Sequence, residues 1–260
     1  MAGTHDDSGR LDLGLPPQVR GCLFDLDGVL TRTASVHAAA WAEMFNDFLR
    51  ARDPRPGEEL RPFTSADYDR YVDGRPRLDG TRTFLRSRGI DLPEGTPDDP
   101  AGAPTIHGLS TAKNARVLHL LAEGGVDVYD GSVRYVRAVR DAGLATAVVS
   151  SSANTAQVLD AAGIAGLFDA RIDGLVAAER GLAGKPAPDT FLAGAAALGV
   201  PPAAAAVFED ALAGVEAGRA GRFGYVVGVD RVGQADDLRR RGADVVVGDL
   251  SELLGGGRTG

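Results

Sequence analysis

From residue 145 to residue 247 the sequence alternates short runs of valine, isoleucine and alanine with longer stretches of helical character, and this alternation constrains the fold more than any other feature. The pattern predicts strands at 21–26, 145–150, 170–172, 204–208, 224–229 and 244–247. Helical stretches at 132–142, 153–162, 188–198, 211–219 and 234–241 stand beside or between the later strands. Strands linked by helices pair in parallel, with both faces of the sheet covered. The expected class is therefore α/β, with a Rossmann-like parallel sheet core.

Residues 35–125 break that rhythm. A helix is expected over 35–50, rich in alanine and aromatics, and another over 111–122, but no clear strand lies between them. The run PEGTPDDPAGAP at 93–104 has loop composition. Such a segment, placed after the first strand, reads as an inserted helical cap domain at 35–125, leaving 21–34 and 126–254 as the core. Its hinges are expected near 32–36 and 124–130. Residues 1–20 and the terminal GGGRTG read as loosely held.

The formal net charge of −8 argues against a nucleic-acid binder, whose affinity comes from neutralising phosphates with basic residues. A small anionic substrate needs only a local positive site. No apolar run approaches a membrane span, and the start MAGTHDDSGR is too polar for a secretory signal peptide, so the cytoplasm is the expected location. The single cysteine, Cys22, excludes an intramolecular disulfide framework. Among 28 basic residues the lysines are two, Lys113 and Lys185. Arginine's planar fork is a poor substitute where a compact ammonium is needed, which marks both lysines for attention.

Chemistry-bearing residues fall at predicted strand ends, where open α/β sheets bind ligands. Asp25 and Asp27 close the first strand, Ser150 follows the second, Lys185 stands in a later loop, and Glu209 with Asp210 ends the fourth. If 21–26 is extended, Asp25 and Asp27 share a face. Carboxylates of this kind are hard oxygen ligands of the sort Mg²⁺ prefers, and an aspartate can attack phosphorus while a second shuttles a proton. Ser150 and the amides that follow it are suited to hold a phosphoryl group, although Ser150–Asn154 taken alone reads first as a helix cap. Glu58, Glu59, Asp98 and Asp99 are expected to be solvent-facing loop acids without a role, and the arginine group Arg75, Arg77, Arg82, Arg86 and Arg88 has the composition of a solvated helical face.

FDLDGVLT, VVSSSAN, AGKPAPD and FEDALAG occur in the order of the four motifs of the haloacid-dehalogenase superfamily, which they resemble. Within it the chain is similar to the β-phosphoglucomutase-like family. That resemblance implies the haloacid-dehalogenase fold, with Asp25 as nucleophile and Asp27 as general acid/base. It implies Ser150 and Lys185 as phosphate ligands, with Ser151, Ser152 and Asn154 in the same loop, and Mg²⁺ held by Asp25, Glu209, Asp210 and the backbone carbonyl of Asp27. In the cap, His37 and Trp41 match a histidine and tryptophan beside the substrate. Arg77, in DGRPRLD, matches an arginine that grips the phosphate remote from the nucleophile. Lys113–Asn114 matches a pair facing the active site. On residue spacing alone, His37 and Trp41 read first as helix-core packing.

The implied activity is interconversion of β-D-glucose 1-phosphate and glucose 6-phosphate through an aspartyl-phosphate enzyme and a glucose 1,6-bisphosphate intermediate. A sugar-phosphate phosphatase and a catalytically weak sugar-phosphate-binding protein are the alternatives. The expected partner is a small sugar phosphate, with no nucleic acid and no membrane, and the expected state is a monomer. Four positions depart from the family pattern: Arg32 stands where aspartate is expected, Asp73 and Ala153 where lysines are, and Ala211 where a serine often follows the metal acid.

Overall fold

The structure is a computed structural model, and it describes residues 12–255. The expected looseness of residues 1–11 and 256–260 lies outside the described residues. Residues 12–20 are not loose. Leu13 and Val19 are buried, the Tyr135 hydroxyl donates to the Leu13 carbonyl at 2.9 Å, and the Arg20 amide donates to the Ala204 carbonyl at 2.7 Å. Two apolar anchors among prolines and glycines tie this segment to the core.

Strand β1 (Gly21–Phe24) is followed by helices α1 (Ala34–Arg50), α2 (Ser65–Asp67), α3 (Arg77–Ser87) and α4 (Ile106–Gly124). The chain returns through α5 (Asp130–Asp141), β2 (Ala145–Val149), α6 (Thr155–Ala161), β3 (Ala170–Ile172), α7 (Gly174–Arg180) and α8 (Asp189–Ala197). It ends with β4 (Ala205–Glu209), α9 (Leu212–Ala220), β5 (Tyr225–Val229), α10 (Ala235–Arg241) and β6 (Val245–Val247). Among the described residues two compact units result: Thr33–Val126, and residues 12–32 together with 127–255.

The six strands of the larger unit form one parallel sheet in the order β3-β2-β1-β4-β5-β6. Because neighbouring β1 side chains point to opposite faces, Leu23 joins Val149, Phe191 and Val207 on one side. Phe24 packs with Phe208 at 4.4 Å between ring centroids and edge-on to Tyr135. Both faces are thus buried, as a parallel sheet requires. Strand order reverses around β1, whose neighbours β2 and β4 lead outward in opposite directions. A crevice at the carboxyl ends of β1, β2 and β4 is the geometric consequence.

The Thr33–Val126 unit contains helices and no strand among its described residues. In α1, Trp41, Met44, Phe45 and Leu49 recur at helical spacing and bury one stripe. They close on Phe63, Phe84 and Leu109, with Phe45 and Phe84 at 4.1 Å between ring centroids. No helix of the described residues is long and apolar enough to cross a membrane.

Candidate active site

Strand β1 stops at Phe24, one residue short of the first acid. The Asp25 amide still donates to the Phe208 carbonyl at 2.9 Å, so the parallel ladder fixes Asp25 beside β4. The chain then turns: the amides of Leu30 and Thr31 both donate to the Leu26 carbonyl. Asp27 lies inside this turn rather than on the strand, which separates the two acids. Asp25 faces Lys185, whereas the Asp27 carboxylate lies 3.5 Å from the Ser150 hydroxyl. The expectation that both side chains leave one extended face gives way to this turn.

Gly28 allows the turn to form. Its φ of +88° is left-handed, and a Cβ built there would overlap the Asp210 carboxylate. Gly214 serves Glu209 similarly, since a Cβ on that first turn of α9 would overlap the Glu209 carboxylate. Both metal-motif acids therefore rest against bare backbone.

The ammonium of Lys185 sits at the centre of the cluster. It donates to Asp25 Oδ1 at 2.5 Å, to Glu209 Oε1 at 2.6 Å and to the Val149 carbonyl at 3.2 Å, which occupies all three donors. Burial works to lower its pKa, but the carboxylates of Asp25 and Glu209 overcome that and raise it, so the lysine stays charged. Burial raises the Asp25 carboxyl well above its ordinary range; Lys185 pulls it down, and Glu209 and Asp27 push it up. The second oxygen of Glu209 accepts from the Ala211 amide at 2.8 Å, so the residue at the usual serine position contributes through its backbone.

Asp25, Glu209 and Asp210 each offer an oxygen, and these oxygens lie within 4.8 Å of one another. Lys185 pairs with two of these three carboxylates, Asp25 and Glu209, and the donors are all hard oxygens. This set fits Mg²⁺, which is bound through few carboxylates with water and phosphate completing the shell. The Asp27 carboxylate is not part of that triad.

Ser150 closes β2 and is buried, its amide donating to the Ile172 carbonyl at 3.0 Å. Its hydroxyl accepts from the Ser152 amide, and the Ser152 hydroxyl accepts from the Asn154 amide. The capping alternative fails here, because no side chain caps α6 at Asn154. Ser151, Ser152, Ala153 and Asn154 are half-buried in the loop that Ser150 starts.

In the helical unit, His37 Nδ1 and Lys113 Nζ are 2.9 Å apart, and that ammonium lies 5.0 Å from the centre of the Trp41 ring. Trp41 also stacks on Phe45, so packing and polar roles coincide. Asn114 is half-buried beside Lys113 on α4. Arg77 opens α3, half-buried, with a fully enclosed Nε that has no hydrogen-bond partner and no ion pair for its guanidinium among the described residues. Burial lowers its pKa. A cavity of about 610 Å³ in this unit, lined by Met44, Phe48, Leu109 and Arg116 among others, contains none of these residues.

Two surface expectations are corrected. Arg88 is buried, donating to Asp67 at 2.8 Å and lying 4.9 Å from the centre of the Phe84 ring, because α2 turns an acid inward beneath it. Glu58 is held by Arg52 through both oxygens, and Asp99 accepts from the Thr105 hydroxyl at 2.5 Å. These acids hold loops together. Arg32 is exposed, with its guanidinium 4.3 Å from the centre of the Tyr129 ring. Sequence reasoning missed Arg231 and Gln234, which bond to the backbone of the two acidic loops; a position just beyond β5 was their only signal.

A sequence model of the haloacid dehalogenase-like hydrolase family matches residues 19–222. Proteins of Mycobacterium tuberculosis and Mycobacterium bovis named β-phosphoglucomutase are each 57% identical over 246 residues, spanning 93% of this chain and 94% of theirs. The crystal structure of β-phosphoglucomutase from Clostridium difficile has the same fold, with a TM-score of 0.71 at 24% identity over 90% of this chain and 93% of that one.

Proposed function

We propose that this chain, which belongs to the haloacid dehalogenase-like hydrolase family and within it to the β-phosphoglucomutase-like group, is a Mg²⁺-dependent phosphosugar mutase that interconverts β-D-glucose 1-phosphate and glucose 6-phosphate. The observation that carries the chemistry is the contact of Lys185 with both Asp25 and Glu209 at the strand ends, beside the carboxylate triad. The mycobacterial relatives named for this activity support the choice of reaction.

Each half-reaction exchanges one P–O bond for another. An Asp25 oxygen attacks phosphorus, the bond from phosphorus to the sugar oxygen breaks, and Asp27 gives its proton to that departing oxygen, which leaves as a hydroxyl. In the return step the other sugar hydroxyl attacks the aspartyl phosphate, and Asp27 takes up the proton. Lys185 supplies positive charge beside the transferring phosphoryl group, and Ser150 with its loop 151–154 is assigned to the phosphoryl oxygens. Bound by Asp25, Glu209, Asp210 and the Asp27 carbonyl, magnesium would supply neutralisation between an anionic nucleophile and an anionic phosphate.

Glucose 1,6-bisphosphate is the intermediate in this scheme, so a second phosphate must be gripped while the first transfers. We assign that grip to Arg77, whose buried Nε and unpaired guanidinium suit a bidentate anion. His37, Trp41, Lys113 and Asn114 are assigned to the sugar, and residues 35–125 to the role of a cap domain. The assigned location is the cytoplasm and the assigned state a monomer. An assay that detects glucose 6-phosphate tests the proposal: the β anomer of glucose 1-phosphate is converted and the α anomer is not, and conversion of neither removes it.

A further inference from the structure

The five residues Asp230–Gln234 follow β5 and lie outside all four phosphotransferase motifs. One carboxylate organises them: Asp230 Oδ1 accepts from the amides of Val232, Gly233 and Gln234 at 3.2, 2.7 and 2.8 Å. The Asp230 amide donates to the Val247 carbonyl, which pins the loop to β6. A loop held in this way presents its side chains in fixed positions.

Arg231 reaches the loop that carries the acid pair. Its Nε donates to the Gly28 carbonyl at 2.7 Å and one terminal nitrogen to the Val29 carbonyl at 3.4 Å. The other terminal nitrogen donates to the Gly248 carbonyl at 2.7 Å and lies 3.6 Å from Asp249. The guanidinium rests 3.5 Å from the centre of the Tyr129 ring, and the Tyr129 amide donates to the Leu30 carbonyl. Gln234, three residues along, donates from Nε2 to the Asp210 carbonyl at 2.9 Å. One rigid loop therefore bonds to the backbone of both acidic loops. These are the two loops that meet where Gly28 lies against the Asp210 carboxylate.

We propose that the Asp230–Gln234 loop is a positioning brace: Arg231 holds the Asp25–Thr31 turn and Gln234 holds Asp210, so that the carboxylates keep the separation a shared cation requires. The brace rests on the phosphoryl-transfer reading of the site. A guanidinium is needed at 231 because carbonyls in different directions and an aromatic face are met by one planar group. Neither residue touches substrate. Both act through the backbone of the residues that do, as partners behind metal ligands do in general.

Isothermal titration with Mg²⁺ alone, amide hydrogen exchange of the metal-free protein and steady-state hydrolysis of an aryl phosphate test the brace in Arg231→Ala and Gln234→Ala. The expected result for each is Mg²⁺ affinity weakened by about 10-fold or more, faster exchange at Gly28–Thr31 in the Arg231 variant, and lower kcat with KM within about threefold. Tyr129→Phe keeps the ring and the wild-type affinity; Tyr129→Leu loses part of it. Folded variants with unchanged affinity and unchanged exchange overturn the brace, as does equal loss from Tyr129→Phe and Tyr129→Leu. Should Arg231→Ala not fold, Gln234→Ala, which removes a single hydrogen bond, decides the matter through Mg²⁺ affinity. A wild-type chain that binds no Mg²⁺ removes the phosphoryl-transfer reading instead, and the exchange experiment then judges the brace by itself.

Discussion

Lys185 Nζ lies 2.5 Å from Asp25 Oδ1 although the two residues are 160 positions apart, and both are buried. With Glu209 on the same ammonium, the pair holds two carboxylates at a distance where they would otherwise repel. Lys185→Ala leaves those acids buried without their cation. The expected cost is about 3–5 kcal/mol of stability, read from denaturant unfolding in the absence of metal. Activity is lost together with stability. A stable, active Lys185→Ala protein would contradict the electrostatic role.

Asp25→Asn removes the attacking oxygen's charge while keeping its shape. Turnover should fall at least about 1,000-fold, and no acid-stable phosphoprotein label should appear on brief incubation with labelled sugar bisphosphate. Labelling at the wild-type level would exclude Asp25 as nucleophile.

Arg77→Ala separates the distal phosphate from the chemistry. The KM for glucose 1,6-bisphosphate should rise by about 10-fold or more, the scale of one charge-assisted contact, while hydrolysis of a small aryl phosphate stays within about threefold. Equal losses on both substrates would contradict the assignment.

The helical unit carries its own acid sensitivity at Asp67. Burial works to raise this carboxyl, but bonds from the Thr64 hydroxyl and amide and the charges of Arg88 and Arg61 outweigh it and lower the pKa. A lowered native pKa means that the stabilisation is complete above the unfolded value near pH 4 and is lost as pH falls through the native value. Asp67→Asn should remove that part of the acid dependence. It should also cost about 3–5 kcal/mol at neutral pH, because buried Arg88 loses its buried carboxylate and keeps only the exposed Glu59 at 3.4 Å. Thermal unfolding from pH 2 to 7 measures both effects.

The parallel sheet was legible because β-branched runs and helical stretches differ in period, and three of the core motifs were legible because they sit at strand ends, while Lys185 stands in the loop between α7 and α8. The turn that separates Asp25 from Asp27 was not: alternation over six residues reads as strand, and only the left-handed φ at Gly28 redirects the chain. Helix α7 was missed for lack of length. It is seven residues long, capped by Asp173 and ended by Gly181, and that asymmetry of acid and glycine was its only mark. Arg88 read as a surface charge because composition cannot report its pairing with Asp67 across 21 residues. Arg231 lies 203 residues from Gly28, beyond the reach of any local pattern.

Phosphoryl transfer between the two ends of one sugar is tested most directly by phosphorus NMR. The protein is incubated with Mg²⁺, β-glucose 1-phosphate and a trace of glucose 1,6-bisphosphate. Glucose 6-phosphate is the expected main product, with the bisphosphate persisting at catalytic level and inorganic phosphate a minor signal. Accumulation of inorganic phosphate without glucose 6-phosphate would contradict the mutase assignment and make the chain a phosphatase.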